Sequence, residues 1–286
     1  MKKLISASIF LASFIIFMFT TLTLIYSQTD SPTPDQSEFE IAYDTYKNDV
    51  ETYEKANNEY IFRRSQYLSF KTLKSQQEAH AATLSMLQAR DQVNVSYMEA
   101  LKKRLAETIG VPQARGEGLT IRLDEEIAFF ETHKDDLSSS GTLEDLVKES
   151  NIAFKRYSTI EPLFYEVLAV VSQSKISDYT KRTDEMFNRV RAKVEMIRNE
   201  ERDEYRFSSE KQQRLDRWLF ESESRIIRSK EKQTEIDILI YDFARKRGSL
   251  LTNYNSVVGK LGETQLLLKE SNTFLLEIMR EIKTAE

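Results

Sequence analysis

The chain has 286 residues, of which 30% are charged, and it carries a formal net charge of −5 and no cysteine. An acidic chain lacks the basic surface that general nucleic-acid binding requires, and the lack of cysteine excludes disulfides, thiolate metal sites and cysteine nucleophiles. Only seven glycines and four prolines are present, so long segments lack the residues that most often interrupt helices. Strand signals are scarce, and the composition predicts an all-α, elongated fold.

The N-terminal segment 4–26 contains no charged side chain. About 20 apolar residues span a bilayer as a helix, which predicts an uncleaved signal anchor over residues 1–26. The alternative is a signal peptide cleaved near residue 27, which would release a secreted chain, although the apolar region of such peptides is usually only about 7–15 residues. Lys2 and Lys3 precede the apolar run and acidic residues follow it. The positive-inside rule therefore predicts a cytoplasmic N-terminus and an extracytoplasmic remainder.

Residues 27–37 form a polar Pro/Ser/Thr linker, and residues 38–109 contain neither glycine nor proline. The second segment is predicted to be one helix, which would be about 110 Å long if it is unbroken. It ends before Gly110 and Pro112, as a helix followed by a capping glycine and a proline does. Its first half has apolar residues at alternating spacings of three and four, a pattern that predicts tyrosine packing in a heptad seam rather than a ligand cage: Phe39, Tyr43, Tyr46, Val50, Tyr53, Asn57 and Tyr60.

Residues 110–175 are predicted to form a small helical head. A loop over 111–121 would lead to two short helices, at about 122–137 and about 142–157, the second capped by Thr142 and Asp145. Pro162 would then start a long second helix, which begins within the head and continues as residues 176–247 of the stalk. If this helix breaks, the polar segment 199–213 is the expected place.

Residues 248–286 carry the most regular heptad pattern in the chain. The pattern predicts a C-terminal helix that packs as a third helix on the stalk, and a homo-oligomer formed by this helix is the alternative. Gln265 and Asn272 are polar positions of the kind that specify register or partner number. The predicted seam comprises Leu251, Tyr254, Val258, Leu261, Gln265, Leu268, Asn272, Leu275, Met279 and Ile282.

The two segments 38–109 and 176–247 have equal length, which suggests an antiparallel hairpin or coiled coil. An apolar helical seam needs a partner in water. In that alignment Leu87 lies near Ile197, and Tyr67 lies near Trp218. The predicted assembly is an N-terminal transmembrane helix followed by an elongated antiparallel stalk with a helical head.

No motif in the sequence predicts a catalytic residue, a cofactor site or a metal site. His80 lies among alanines, and His133 is interpreted as part of a solvated helix end. The basic cluster Arg245, Lys246 and Arg247 has two interpretations. It complements a helix dipole, or it contacts anionic lipid headgroups at the membrane surface.

The order of these parts resembles that of uncharacterised extracytoplasmic helical proteins of uncultured bacteria. The likeness rests on the signal anchor, the Pro/Ser/Thr linker, a long helix with Ala-Arg-Asp-Gln-Val near 88–93, and Thr-Leu-Glu-Asp-Leu at 142–146. The resemblance implies no activity. The sequence therefore predicts a non-enzymatic, membrane-anchored scaffold or spacer in the cell envelope with an unidentified protein partner. The alternative is a sensor-like ligand-binding helical bundle without its own signalling domain.

Overall fold

The computed structural model describes residues 37–199, 207–245 and 249–283. These residues form α-helices and one short 3₁₀ helix, Leu137–Ser139, without any β-strand, which confirms the all-α prediction. In chain order the α-helices are α1 (Glu38–Phe70), α2 (Leu73–Glu107), α3 (Gln113–Asp136), α4 (Leu143–Arg198), α5 (Ser209–Ala244) and α6 (Leu250–Lys283).

The predicted signal anchor over residues 1–26 lies outside the described residues, as does the linker up to residue 36. Of the six helices described, none combines the length and hydropathy needed to cross a bilayer. The described part begins with a well-formed cap, in which Ser37 Oγ accepts the Glu40 N–H at 3.2 Å and Glu40 Oε2 accepts the Ser37 N–H at 3.1 Å. This reciprocal pair is a capping box, and it defines the start of α1.

The chain divides into two compact units. Within the described residues, the first contains 37–100 and Phe129–Ser150, and the second contains Leu101–Ala128 and the described part of Asn151–Glu286. Helices α2, α3 and α4 each contribute residues to both units.

Helices α1 and α2 form an antiparallel hairpin in the first unit, so the prediction of one unbroken helix over 38–109 is wrong. Near the open end of the hairpin, Gln92 Nε2 donates to Asp49 Oδ2 at 3.1 Å. Near its turn, Arg63 Nη1 donates to Glu78 Oε2 at 2.7 Å. From the first contact to the second, the residue number increases on α1, from 49 to 63, and decreases on α2, from 92 to 78. The two helices are therefore antiparallel.

The hairpin turns at Lys71 and Thr72 without glycine or proline. Lys71 adopts the left-handed conformation with φ 47° and ψ 35°, and its N–H donates to Tyr67 O at 2.9 Å, which caps α1. Thr72 then caps α2, because its Oγ1 accepts the Ser75 N–H at 3.1 Å while Ser75 Oγ accepts the Thr72 N–H at 3.0 Å. Side-chain caps thus supply the turn that glycine usually provides.

The predicted tyrosine packing is confirmed along this hairpin. Tyr46 is buried, and its ring centroid lies 5.4 Å from that of Tyr97 on α2. Burial raises the pKa of the Tyr46 hydroxyl to about 12. Tyr53 and Tyr60 pack against a buried cluster that includes Met86 and Leu87.

The predicted loop over 111–121 and the two short helices are also wrong. Helix α3 begins at Gln113 and contains Gly116 and Gly118, and α4 continues without interruption through Pro162 for 56 residues. Proline removes only one helical hydrogen bond and disturbs the preceding turn. Buried apolar side chains on both sides of Pro162 hold the helix together there: Ile160, Leu163, Phe164 and Val167. Within the predicted polar segment, the described helices stop at Arg198 and restart at Ser209.

The second unit contains an antiparallel arrangement of α4, α5 and α6. Between α4 and α5, Lys230 Nζ lies 3.1 Å from Asp184 Oδ2. Between α5 and α6, Arg225 Nε donates to Glu270 Oε2 at 2.7 Å. The C-terminal helix therefore packs against the chain's own helices. Its place on the predicted stalk and its pairing between copies of the chain both stay predictions.

The predicted pairing of Leu87 with Ile197, and of Tyr67 with Trp218, joins residues of different units and stays a prediction. Leu87 belongs to a cluster with Leu137 and Leu146 in the first unit. Ile197 and Trp218 pack against a different cluster, formed by α4, α5 and α6 in the second unit. The equal lengths of segments 38–109 and 176–247 do not correspond to two single helices, because the first segment consists of α1 and α2.

Gly110 gives a direct test of the turn after α2. Its φ is +87°, and an added Cβ would lie 2.9 Å from the Ser174 carbonyl oxygen. We expect Gly110→Ala to lower the unfolding free energy by at least about 1–2 kcal/mol, because left-handed backbone is costly for alanine. Fluorescence of Trp218, the only tryptophan, can follow this unfolding in urea.

The matched control is Gly262→Ala in α6, where an added Cβ meets nothing within 4 Å. A glycine inside a helix is less stable than alanine by about 0.5–1 kcal/mol, so this variant should be more stable than the wild type. Equal shifts of both variants in the same direction would contradict the role assigned to Gly110.

Candidate functional site

The turn of the α1–α2 hairpin carries the most exposed large apolar side chains described in the first unit. Phe70 is 71% exposed and Leu73 is 72% exposed, and Leu68 is 53% exposed on the last turn of α1. We call Leu68–Leu73 together with Lys74 the hairpin tip. Several large exposed apolar side chains at one turn make the hairpin tip a candidate site of interaction.

The surroundings of the hairpin tip are cationic. The segment from residue 61 to residue 77 contains four basic residues and no acidic residue. Arg63 is engaged by carboxylates from both helices, with Glu59 Oε1 at 2.6 Å and Glu78 Oε2 at 2.7 Å. Lys71 is exposed, and the Lys74 side chain is 86% exposed with its Nζ 4.0 Å from Glu78 Oε1. The tip thus presents apolar and positively charged side chains side by side.

A second polar constellation lies inside the first unit, around His133. This residue is buried rather than solvated, which corrects the sequence interpretation. His133 Nδ1 lies 2.5 Å from Asp91 Oδ2, and its Nε2 lies 3.2 Å from the Glu149 carbonyl oxygen and 3.4 Å from Glu149 Oε2. Arg90 Nε donates to Asp91 Oδ1 at 3.3 Å. Both ring nitrogens face acceptors, an environment that favours the imidazolium form.

The ring of His133 also stacks on Phe129, with centroids 5.9 Å apart. The pKa of His133 is raised above its ordinary value, chiefly by the hydrogen bond to Asp91, while burial opposes the shift. Because the folded-state pKa exceeds the unfolded-state pKa, the charged ring stabilises the fold. This stabilisation is complete below about pH 6.5 and is lost as pH rises through the raised folded-state pKa.

We therefore expect the local stability of the first unit to fall as pH rises from 6 to 9, and His133→Gln to remove most of that dependence. Hydrogen exchange of α2, corrected for the intrinsic pH dependence of exchange, measures the effect. The chain contains only two histidines, so an NMR titration can assign the pKa of His133 directly. A measured pKa below about 6.5 would contradict the favourable charge interaction with Asp91.

The two predicted register positions on α6 lie in different environments. Asn272 Nδ2 donates to Tyr179 Oη of α4 at 2.6 Å, and Asn272 Oδ1 is buried without a hydrogen-bond partner in the described structure. Gln265 is half-buried. The contact of Asn272 is made within the chain, and a role for either residue in oligomer number stays a prediction.

The predicted basic cluster is described only at Arg245, since Lys246 and Arg247 lie outside the described residues. The Arg245 guanidinium lies over the Tyr241 ring, 4.2 Å from its centroid, and a guanidinium nitrogen donates to the Tyr241 hydroxyl. This contact fixes one cation at the end of α5. Contact of the cluster with lipid headgroups stays a prediction.

Sequence reasoning missed both the hairpin tip and the His133 cluster. The tip was hidden because Phe70, Lys71 and Leu73 fall inside a segment without helix-breaking residues. The only available signal was the pair Thr72 and Ser75, which resembles a helix cap. The cluster was hidden because Asp91 and His133 are 42 residues apart, and only the antiparallel approach of α2 and α3 brings them together.

No group of three or more His, Cys, Asp or Glu side chains within residues 37–199, 207–245 and 249–283 is arranged to hold a metal ion. A shallow depression of about 180 Å³ lies on α5, lined by Phe220, Glu223, Ser224, Ile227 and Arg228. Comparison of the chain with protein-family models, curated proteins and solved structures found no match.

Proposed function

We propose that the protein is a membrane-anchored, extracytoplasmic helical scaffold or spacer that mediates protein–protein interaction in the cell envelope. The observation that carries this proposal is the length and mutual packing of α4, α5 and α6. Helix α4 alone has 56 residues, which corresponds to about 84 Å at 1.5 Å per residue. Long helices held side by side by buried seams keep a fixed distance between their ends, as a spacer requires.

Polar contacts between these helices support a rigid arrangement. Ser222 and Ser271 are fully buried, and their hydroxyl oxygens lie 2.8 Å apart between α5 and α6. Gln233 Nε2 donates to Thr180 Oγ1 at 2.8 Å between α5 and α4. Polar pairs between helices that satisfy each other restrict the helices to one register. Such packing suits a protein whose role is to hold a distance or an orientation.

The proposed location rests on the sequence of the N-terminal segment. The uncharged run 4–26 is long enough to act as an anchor with the N-terminus in the cytoplasm. Under this proposal the antiparallel helices stand outside the membrane as a stalk, and they carry a protein-binding surface. Cleavage near residue 27 would instead release the same helical protein as a secreted chain.

Two measurements in the native cell test the proposal. A C-terminal reporter that is active only outside the cytoplasm should be active, and a reporter that is active only inside should be silent. Proximity labelling from the C-terminus should then identify a reproducible set of envelope proteins, and in-cell crosslinking should confirm at least one of them as a direct partner. A silent outer reporter would contradict the location, and the lack of any crosslinked protein would contradict the scaffold role.

A further inference from the structure

We propose that the hairpin tip is a lipid-binding element that inserts Leu68, Phe70 and Leu73 into the interface of an anionic membrane. The site consists of residues other than those of the predicted anchor at 1–26 and of the predicted basic cluster at 245–247. It also does not rest on the scaffold role, because it follows from the hairpin turn alone.

The shape of the hairpin favours a membrane as the occupant. Helices α1 and α2 both lead away from the tip in the same direction, so Phe70 and Leu73 lie at the end of the hairpin rather than in a groove. Side chains that dominate protein–protein affinity usually occupy well-packed pockets from which water is excluded. A fluid bilayer interface needs no complementary pocket, and it accepts a few apolar side chains that project from a turn.

The charges point to an anionic surface. Lys71 lies between Phe70 and Leu73, and Lys74 follows Leu73. Glu59 and Glu78, the nearest carboxylates in the sequence, both pair with Arg63, and Lys71 and the 86% exposed Lys74 side chain are the cations next to the apolar residues. Lysine can keep its ammonium group at the headgroups while its alkyl stem lies along apolar surface. Apolar side chains combined with basic residues are the composition of interfacial membrane-binding elements. This local positive charge contrasts with the net charge of −5 of the whole chain.

The tip makes little contribution to the core of the hairpin. Phe70 and Leu73 remain more than two-thirds exposed. The turn itself is held by the backbone bond from Lys71 and by the caps between Thr72 and Ser75. Polar substitutions at the apolar tip residues should therefore leave the fold intact, which makes the proposal testable with folded protein.

The chain contains no cysteine, so one introduced cysteine can carry a fluorophore that reports its local environment. Ser69→Cys places the fluorophore between Leu68 and Phe70, at an exposed position. The full chain is placed in phosphatidylcholine nanodiscs, so that any N-terminal anchor is already occupied. Vesicles of phosphatidylcholine, or of equal parts phosphatidylcholine and phosphatidylglycerol, are then added. The experiment is repeated with nanodiscs of the mixed lipid, so that the tip can also bind the membrane that holds the same chain.

We expect the fluorescence emission of the label at Ser69→Cys to shift to shorter wavelength when either the vesicle or the nanodisc contains phosphatidylglycerol. With phosphatidylcholine alone we expect no shift. Lys71→Gln with Lys74→Gln should weaken binding about thirtyfold, and Phe70→Ser with Leu73→Ser should abolish the blue shift. A label at the exposed Ser256→Cys on α6 should not respond. Phe220→Ser with Ile227→Ser is the matched control, because it removes exposed apolar side chains from α5 and should leave the tip signal unchanged.

Three results would overturn the proposal. The first is no blue shift with either lipid, and the second is an equal blue shift with both. The third is a blue shift in lipid-free protein that grows with protein concentration, which would assign the tip to a second copy of the chain. Circular dichroism of each variant confirms that it is folded. Failure of this proposal would leave the scaffold role intact, since that role is tested by the partner and the reporter.

Discussion

Replacing Asp91 with alanine is expected to lower the free energy of opening of α2 by about 3–5 kcal/mol, which is the usual cost of removing one partner from a buried ion pair. Asp91 is fully buried, and it accepts hydrogen bonds from His133 and Arg90. The variant leaves two cations without their shared carboxylate, and it also leaves a cavity. Hydrogen exchange of peptides that cover residues 86–100 measures this free energy within the first unit.

The control for this prediction is Asp135→Ala on α3, where the carboxylate is exposed. Surface substitutions of this kind usually change stability by less than about 0.5 kcal/mol. The double variant Asp91→Ala with His133→Ala should be less destabilised than the sum of the two single variants, because the uncompensated imidazolium is gone. Strict additivity would show that the 2.5 Å contact contributes little, and would contradict the assignment of an ion pair.

The sequence supported the all-α class because the signal for it is distributed along the whole chain. Helix ends were harder to predict, since several depend on one or two side chains. A left-handed lysine at residue 71 ends α1, although most helix ends of this kind use glycine. Conversely, Gly116, Gly118 and Pro162 lie inside helices, because tertiary packing of the flanking residues outweighs the local preference for a break.

Only about half of the buried positions of α4 could be predicted from the sequence, and the reason is geometric. In α4, the alternating spacing of three and four residues in the sequence predicts a seam that comprises Ile176, Tyr179, Thr183, Met186, Val190 and Lys193. The structure buries Ile176, Thr183 and Val190 of this set, but the intervening buried positions are Thr180, Phe187 and Val194. A heptad pattern with two apolar positions in every seven residues describes a helix that packs against one partner. Helix α4 contacts both α5 and α6, so its buried face is wider than a single seam. The omitted residues lie next to the predicted ones on that wider face.

On α6 the buried face also includes residues next to the predicted seam, and two of them are small and polar. Tyr254, Leu261, Leu268 and Leu275 were predicted correctly, but the remaining buried positions are Val257, Thr264, Ser271 and Ile278. Periodicity favours large apolar residues, so Thr264 and Ser271 were passed over. Their hydroxyls are satisfied by Lys260 O at 2.8 Å and by Ser222 Oγ at 2.8 Å. A pattern of apolar residues does not reveal hydrogen bonds between buried serines.

Leu275→Ala is expected to destabilise the second unit by about 2–5 kcal/mol, as is usual for a buried leucine. Leu275 is fully buried in a cluster with Phe187, Val194 and Leu215. Trp218 packs against the same cluster, so urea unfolding followed by its fluorescence reports on this site. The loss should be independent of protein concentration, because the cluster is formed within one chain. A loss that disappears at high concentration would instead support pairing of α6 between copies.

Neighbouring residues of the same type provide the controls for this helix. Leu276 is 49% exposed, and Leu276→Ala should change stability by less than about 0.5 kcal/mol. Val257 is fully buried and Val258 is 45% exposed, so Val257→Ala should be clearly more destabilising than Val258→Ala. The valine pair decides the register, because the heptad pattern of the sequence places Val258 in the seam and the structure places Val257 there. A larger loss for Val258→Ala would show that α6 is rotated by one residue toward the sequence-derived seam, and would contradict the buried Ser222–Ser271 contact.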